Sequence, residues 1–376
     1  MNLVSYSVTN KDGFVNQNEY FDDGGKAVFA DKKNSLIVSI NTFAYNPSRI
    51  NVGSLALYKH SEMGLVSPIY EVFQINNNNN PDFFLLWFRS EAFKNIVSTN
   101  SNKSVRDTLN LSQFESESVN FPNFAEQSKI SSLFTHLDSL ITLHQRKLLS
   151  LKNLKSRLLD RMFCDEKSQF PSIRFKEFTN TWEQEKLGEC SKFYNGLTSV
   201  SKSDFGVGKD LYIDYLNVFN NTFSQFSELK KFKNSSRQNY VQFKDVILTI
   251  SSETPDEVAM SSVINWKNDY KNVAFNSFCI LVRFNQLEKY DVNYIGYFFR
   301  SNSFRTQAML MAQGISRFNI NQTALKKTLF LFPPNIYEQQ KIGNVLYYLD
   351  SLITLHQRKL NSLKNIKNTL LDKMFV

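Results

Sequence analysis

The sequence predicts a mixed α/β chain of the α+β class, in which two globular domains are each followed by a long helix and the two helices pair as a coiled coil. Three observations lead there. A segment of 42 residues at 122–163 recurs without a gap at 334–375, with 28 identities, including DSLITLHQRKL unchanged at 138–148 and 350–360. Inside each copy, apolar residues recur at steps of three and four, the spacing of a narrow stripe on a long amphipathic helix. Outside the copies, the chain is rich in Phe, Tyr, Ile, Val and Asn and carries short β-prone runs broken by turn formers.

Residues 1–121 read as the first globular domain. NSLIVSIN at 34–41 is its clearest extended run, and Asn76 to Asn80 before Pro81 form a loop. The first helix, 122–163, has its expected seam at Ile130, Leu133, Leu137, Leu140, His144, Leu148, Leu151, Leu154, Leu158 and Met162. Residues 164–333 form the second globular domain, with extended runs at 245–251 (DVILTIS) and 278–284 (FCILVRF) and a turn at 206–210 (GVGKD). The second helix, 334–376, repeats the seam at Ile342, Val345, Leu349, Leu352, His356, Leu360, Leu363, Ile366, Leu370 and Met374.

At about 1.5 Å per residue each helix runs on the order of 50 Å. A lone helix of that length leaves its stripe in water, so mutual burial is the expectation, with separate packing on separate domains as the alternative. Weaker similarity links the domains themselves: WFRSEAF at 87–93 matches FFRSNSF at 298–304, and SVRDTLNL at 104–111 matches ISRFNINQ at 315–322 around Arg106 and Arg317. The chain therefore reads as two units, each a variable domain followed by a near-identical helix.

The formal charge is +9, and the two helical copies contribute +4 and +3 of it, which favours a polyanionic partner. Cys164, Cys190 and Cys279 are far apart and odd in number, so neither a disulfide framework nor a zinc ribbon is expected, and the cytoplasm is the expected compartment. No apolar run is long enough to span a bilayer, and the N-terminus lacks the pattern of a signal peptide. His144 and His356 lie in the seams without Asp, Glu or Cys at i±3 or i±4 on the stripe. They read as hydrogen-bonded core or register residues rather than as metal ligands or bases.

The order of variable domain, P-N-x-x-E-Q-x-K-I, L-D-S-L-I-T-L-H-Q-R-K-L-x-S-L-K-N and L-L-D-x-M-F resembles specificity subunits of type I restriction–modification systems over essentially the whole chain. IRFKEFTNTWEQEKLGE at 173–189 resembles the entry to their target-recognition domains, and YVQFKDVILTISSETPDEVAMSSV at 240–263 resembles a stretch leading into the middle of one. The resemblance implies two target-recognition domains, each reading half of a bipartite DNA site and held apart by two antiparallel helices. It also implies double-stranded DNA, two modification (methyltransferase) subunits and restriction subunits as partners. No membrane, metal or cofactor is expected. The second domain has 170 residues before its helix and the first 121, and no counterpart of IRFKEFTNTWEQEKLGE precedes Tyr6. The first target-recognition domain is thus expected to be short at its N-terminal end.

No catalytic constellation appears. GVGKD lacks both the earlier Gly and the following Ser/Thr of a P-loop, FPPN at 332–335 has the prolines of an adenine-methyltransferase motif in the wrong order, and no zinc-deaminase, H-E-x-x-H or nucleophile-elbow pattern is present. Base readout then falls to polar side chains reaching groove edges. The candidates are Arg106 and Arg317, Gln313, Ser316 and Asn319 around the latter, and Arg49, Asn51, Ser251, Ser252 and Lys267; for each, a solvated loop residue is the bland alternative. Two other classes compete with the DNA-reading subunit. One is a coiled-coil interaction protein or orphan DNA-binding protein, and the other a stand-alone enzyme.

Overall fold

A computed structural model describes residues 3–21, 34–100, 118–165, 167–267 and 272–375. The chain forms two compact units, residues 1–146 with 358–376 and residues 147–357. Both long helices are continuous, Phe124–Arg161 and Ile336–Met374, and each unit takes a part of each helix.

Unit 1 holds two sheets. One has the order β2-β1-β6-β3, from β1 (Val4–Thr9), β2 (Gly13–Asn16), β3 (Leu36–Val38) and β6 (Gly64–Val66), with β1 antiparallel to β2 and parallel to β6. The other has the order β5-β4-β7, from β4 (Phe43–Tyr45), β5 (Leu55–Leu57) and β7 (Glu71–Phe73). Alternation along β4 and β5 explains why this sheet is buried on both faces. Phe43, Tyr45, Leu55 and Leu57 enter a core with Phe83, Trp87, Phe134 and Phe375, while Ala44 and Ala56 enter a second one with Val8, Val66 and Tyr58. A helix at Pro81–Trp87, capped by the Asn80 side chain on the Asp82 and Phe83 amides, covers the first core.

Unit 2 repeats this plan with additions. The order β11-β10-β15 matches β2-β1-β6, built from β10 (Phe205–Ile213), β11 (Lys230–Phe232) and β15 (Val273–Phe275), with the same antiparallel and parallel pairings. The order β14-β12-β16-β9 matches β5-β4-β7 with one strand more, from β9 (Ser191–Asn195), β12 (Val246–Thr249), β14 (Ser261–Val263) and β16 (Cys279–Phe284). Two small pairs complete it: β8 (Glu183–Lys186) on β18 (Leu329–Phe332), and β13 (Ser251–Ser252) on β17 (Phe318–Asn319). The helix at Val292–Phe298 corresponds to Pro81–Trp87 and is capped in the same way by Asp291.

The repeat sequence does the same work in both units. Gln127 accepts from the Asn80 amide and donates to Asn79 and to the Pro122 carbonyl. Its counterpart Gln339 accepts from the Asp291 amide and donates to the carbonyls of Lys289 and Pro333. Each Gln is buried and fastens the cap of the neighbouring short helix, which satisfies a donor that burial would otherwise strand. The helices run antiparallel, as two reciprocal ion pairs display. Asp138 of the first helix meets Lys367 of the second at 2.5 Å within unit 1, and Lys155 meets Asp350 at 2.6 Å within unit 2.

The expected seam needs correction. Leu137, Leu148, Leu151, Ile342, Leu349 and Leu360 are buried, but Leu133, Leu140, Leu154, Leu352, Ile366 and Met374 are exposed, and Phe134, Ile141 and Leu346 are buried in their stead. Phe134 and Leu346 belong to the cores of the globular units, so the buried stripe follows those cores as well as the partner helix. A 3.6-residue turn also drifts from a strict 3.5 repeat. His144 and His356 are half-buried. The GVGKD turn is likewise a strand: 206–210 lie within β10, where Gly206 and Gly208, at φ +83° and +87°, accommodate a bulge against β11.

Candidate functional site

Most of the residues singled out in the sequence meet in unit 2. Gln313 and Asn319 exchange backbone hydrogen bonds of 2.9 and 2.8 Å, closing a tight hairpin whose far strand, β17, pairs with Ser251 and Ser252 of β13. Gly314 at φ +139° makes the hairpin feasible, because a Cβ there would lie 2.0 Å from the Arg317 carbonyl oxygen. The loop lifts Ile315, Ser316 and Arg317 into solvent, and Ile315 is 96% exposed.

The two sides of the hairpin differ. Arg317, Ser251 and Ser252 line an open cleft of about 380 Å³ together with Tyr215, Phe219, Phe278, Glu253 and Glu257. The Tyr215 hydroxyl donates to the Ser251 carbonyl at 2.7 Å, and its ring stacks on Phe219. Burial pushes the Tyr215 hydroxyl above its ordinary pKa, and the Arg317 charge is among the influences opposing that shift. Gln313 and Asn319 line a broader depression of about 960 Å³ with Asn195, Asn321 and Gln322, where Gln322 donates to Asn195 at 2.6 Å.

The remaining candidates stand apart. Lys267 is exposed, 5.8 Å from the Phe243 ring centroid, and lines neither cleft. Arg49 is exposed on a 3₁₀ turn of unit 1 at Pro47–Val52, which also contains Asn51. Arg106, the residue expected to be equivalent to Arg317, lies outside the described residues. Sequence reasoning misses Tyr215, Phe219 and Phe278. They are scattered over 64 positions, and nothing local distinguishes them from the other aromatic residues of a Phe-rich chain.

A second Arg, from the matched WFRS and FFRS segments, is structural. The Arg300 guanidinium donates to the carbonyls of Ser261, Val218, Phe219 and Asn221, and burial depresses its pKa to about 10. The model of the type I restriction modification DNA specificity domain matches residues 5–153 and again 179–365. The chain belongs to this specificity family.

Within that family, the fold resembles solved specificity subunits at low identity. The HsdS subunit from Thermoanaerobacter tengcongensis is 15% identical, with a TM-score of 0.53 over 90% of this chain and 81% of that one. The type I restriction–modification S subunit from M. genitalium is 13% identical, with a TM-score of 0.51 over 100% and 89%. A chain from a structure of type I restriction–modification complex assembly and conformational transition is 14% identical, with a TM-score of 0.55 over 92% and 84%. No curated protein matches the sequence significantly. Among the described residues, no helix is long and apolar enough to cross a membrane, and no group of three or more His, Cys, Asp or Glu could hold a metal ion.

Proposed function

We propose that this specificity-family chain is the non-catalytic DNA-reading subunit of a type I restriction–modification complex in the cytoplasm. In this reading, the target-recognition domains at 1–121 and 164–333 each read half of a bipartite duplex site. Partner subunits held by the helices at 122–163 and 334–376 methylate adenine and cut DNA. The observation that carries it is the hairpin of unit 2, which brings Gln313, Ser316, Arg317 and Asn319 together beside Ser251 and Ser252, with Arg317 on one side and Gln313 and Asn319 on the other. Arginine, glutamine and asparagine are the side chains that make bidentate contacts to base edges in the major groove.

The cleft favours a base edge over a phosphate at Arg317. Glu253 and Glu257 line it too, so an approaching phosphate meets two carboxylates, whereas a guanine edge carries no net charge. Phosphate neutralisation falls instead to the basic helices, whose copies hold most of the net charge of +9. Leu140 and Leu143 on the first helix and Leu352 and Leu355 on the second are exposed at equivalent repeat positions. Two like apolar surfaces support docking of two copies of one partner, the modification subunit.

The test is methylome sequencing of a host expressing this chain with its modification and restriction partners. A two-part adenine-methylated motif is expected, and replacing 172–333 by another family member's domain should change one half of it only. Arg317→Ala should cost about 1–3 kcal/mol and relax specificity at one base pair. Methyl transfer from S-adenosylmethionine by the pure chain, or a swap that alters both halves, defeats the reading.

A further inference from the structure

The cleft beside the unit 2 hairpin carries opposite charges that do not pair. β13 and β17 run antiparallel, with Ser251 opposite Asn319 and Ser252 opposite Phe318. One step further in this register Glu253 stands across from Arg317, and both line the cleft of about 380 Å³. Opposite charges at facing positions of two strands ordinarily attract and join. Here both side chains are exposed, and neither makes an ion pair or a side-chain hydrogen bond among the described residues. The donors of the guanidinium and the acceptor oxygens of the carboxylate therefore stay available in one cleft.

A ligand that uses both groups must offer hydrogen-bond acceptors next to a donor. A G·C pair does so in the major groove: guanine presents N7 and O6 as acceptors, and its cytosine follows with the N4 amino group as donor. An A·T pair sets the adenine N6 donor between two acceptors, N7 and the thymine O4, so two guanidinium donors followed by a carboxylate do not match it. A phosphate offers acceptors only, and the carboxylate repels it. Glu257, the other carboxylate of the cleft, is half-buried on the 3₁₀ turn at Pro255–Glu257, outside the β13–β17 register.

We propose, resting on the DNA-reading function above, that Glu253 is a specificity-determining residue: it accepts from the cytosine N4 amino group of the base pair whose guanine Arg317 holds. The half-site read by unit 2 then contains an obligatory G·C pair with a reader on each base. If adenine and thymine replace guanine and cytosine, the carboxylate faces the thymine O4 carbonyl oxygen, so the wrong pair is rejected by repulsion as well as by the loss of a contact. The same negative charge opposes the phosphates of every duplex alike, which sets a signature for its removal.

The experiment uses this chain assembled with its modification and restriction partners. The methylome obtained with the unmodified chain fixes the motif, and Arg317→Ala marks the base pair that it relaxes. Glu253→Gln should make discrimination at that same pair about tenfold poorer, while non-target duplexes bind more tightly because a negative charge is gone. In a synthetic duplex, N4-methylcytosine at that position replaces the donated hydrogen with a methyl group. It should weaken binding about tenfold for the unmodified chain and little for Glu253→Gln. Glu253 is exposed and without a side-chain partner among the described residues, so its variant folds. Several results overturn the assignment and leave the DNA-reading function standing: a motif unchanged by Glu253→Gln, relaxation at a different pair from that of Arg317→Ala, an equal loss at all positions, or relaxation by Glu257→Gln in its place. Absence of a two-part motif with the unmodified chain overturns that function, and the assignment with it.

Discussion

Unit 1 and unit 2 receive the same helix start, P-N-x-x-E-Q-x-K-I, and use it differently. In both, the Gln is buried and holds the cap of a short helix, through Asn80 in one unit and Asp291 in the other. The preceding Glu is core in unit 2, forked by Arg174, and surface in unit 1. Local packing therefore accounts for the retained Gln in each unit, but for the Glu in unit 2 alone. The near-identity of the two helices requires something both copies share. Their outward faces, with Leu140 and Leu352 exposed alike, meet that requirement.

The sharpest break between the units should come from removing that Glu. Glu338→Ala leaves the Arg174 guanidinium, only 11% exposed, without its carboxylate, and breaking a buried pair costs about 3–5 kcal/mol. Glu126→Ala should change stability by no more than about 0.5 kcal/mol. Thiol labelling separates the two effects, because Cys164, Cys190 and Cys279 are all buried in unit 2 and unit 1 has no cysteine. Burial pushes the Cys164 and Cys190 thiols to about 12, so at pH 8 almost no thiolate exists until unit 2 opens. These raised values stabilise the fold fully below the unfolded thiol pKa, and the stabilisation fades as pH climbs from there towards 12. Labelling should quicken in Glu338→Ala and stay unchanged in Glu126→Ala; equal rates would erase the distinction between the units.

A second pair of substitutions tests which stripe of the helix is the buried one. Leu346→Ala empties a site with no exposure and should destabilise unit 2 by about 2–5 kcal/mol. Leu355→Ala removes a side chain that is 47% exposed and should cost less than about 1 kcal/mol in the isolated chain. Urea unfolding measures both. If the proposed docking of modification subunits holds, Leu355→Ala weakens that complex instead.

The two-unit plan, both helices and the extended runs at 245–251 and 278–284 are legible because periodicity and repetition are properties of the chain itself. The exposed Leu133 and buried Phe134 are not. Adjacent apolar positions on one helix are told apart only by what packs against them, and the Phe134 neighbours, Phe83 and Trp87, come from another element. The candidate site is half legible. Gln313 to Asn319 and Ser251 to Ser252 stand out as polar residues near a matched arginine or in a matched segment, but their meeting depends on a β13–β17 pair of two residues each, too short to leave a periodic trace. GVGKD reads as a turn because closely spaced glycines suggest chain reversal, while in the fold they absorb a bulge within one long strand.

The smallest expected effect tests whether the two reciprocal ion pairs between the helices are equivalent. Lys155–Asp350 and Lys367–Asp138 occupy the same repeat positions with the two helices exchanged, so symmetry alone predicts equal strength. Their surroundings differ. Asp350 also accepts a hydrogen bond from Tyr297 at 2.8 Å, the Lys155 ammonium lies 5.5 Å from the Tyr297 ring centroid, and the Asp350 side chain is 32% exposed. Asp138 is 51% exposed, and the residue aligned with Tyr297 in unit 1 is Leu86, which supplies neither a hydroxyl to the carboxylate nor a ring to the lysine. Exposed pairs contribute about 0–1 kcal/mol, and a charge-assisted hydrogen bond to a half-buried carboxylate adds to the ordering of its pair. Double-mutant cycles should therefore give Lys155–Asp350 a coupling near the top of that range and Lys367–Asp138 one near zero, with Tyr297→Phe narrowing the gap. Raising the salt concentration should weaken the exposed pair first, because screening acts most on charges that water reaches. Equal couplings that respond alike to salt would mean that the helices, and not their surroundings, set the strength of both contacts.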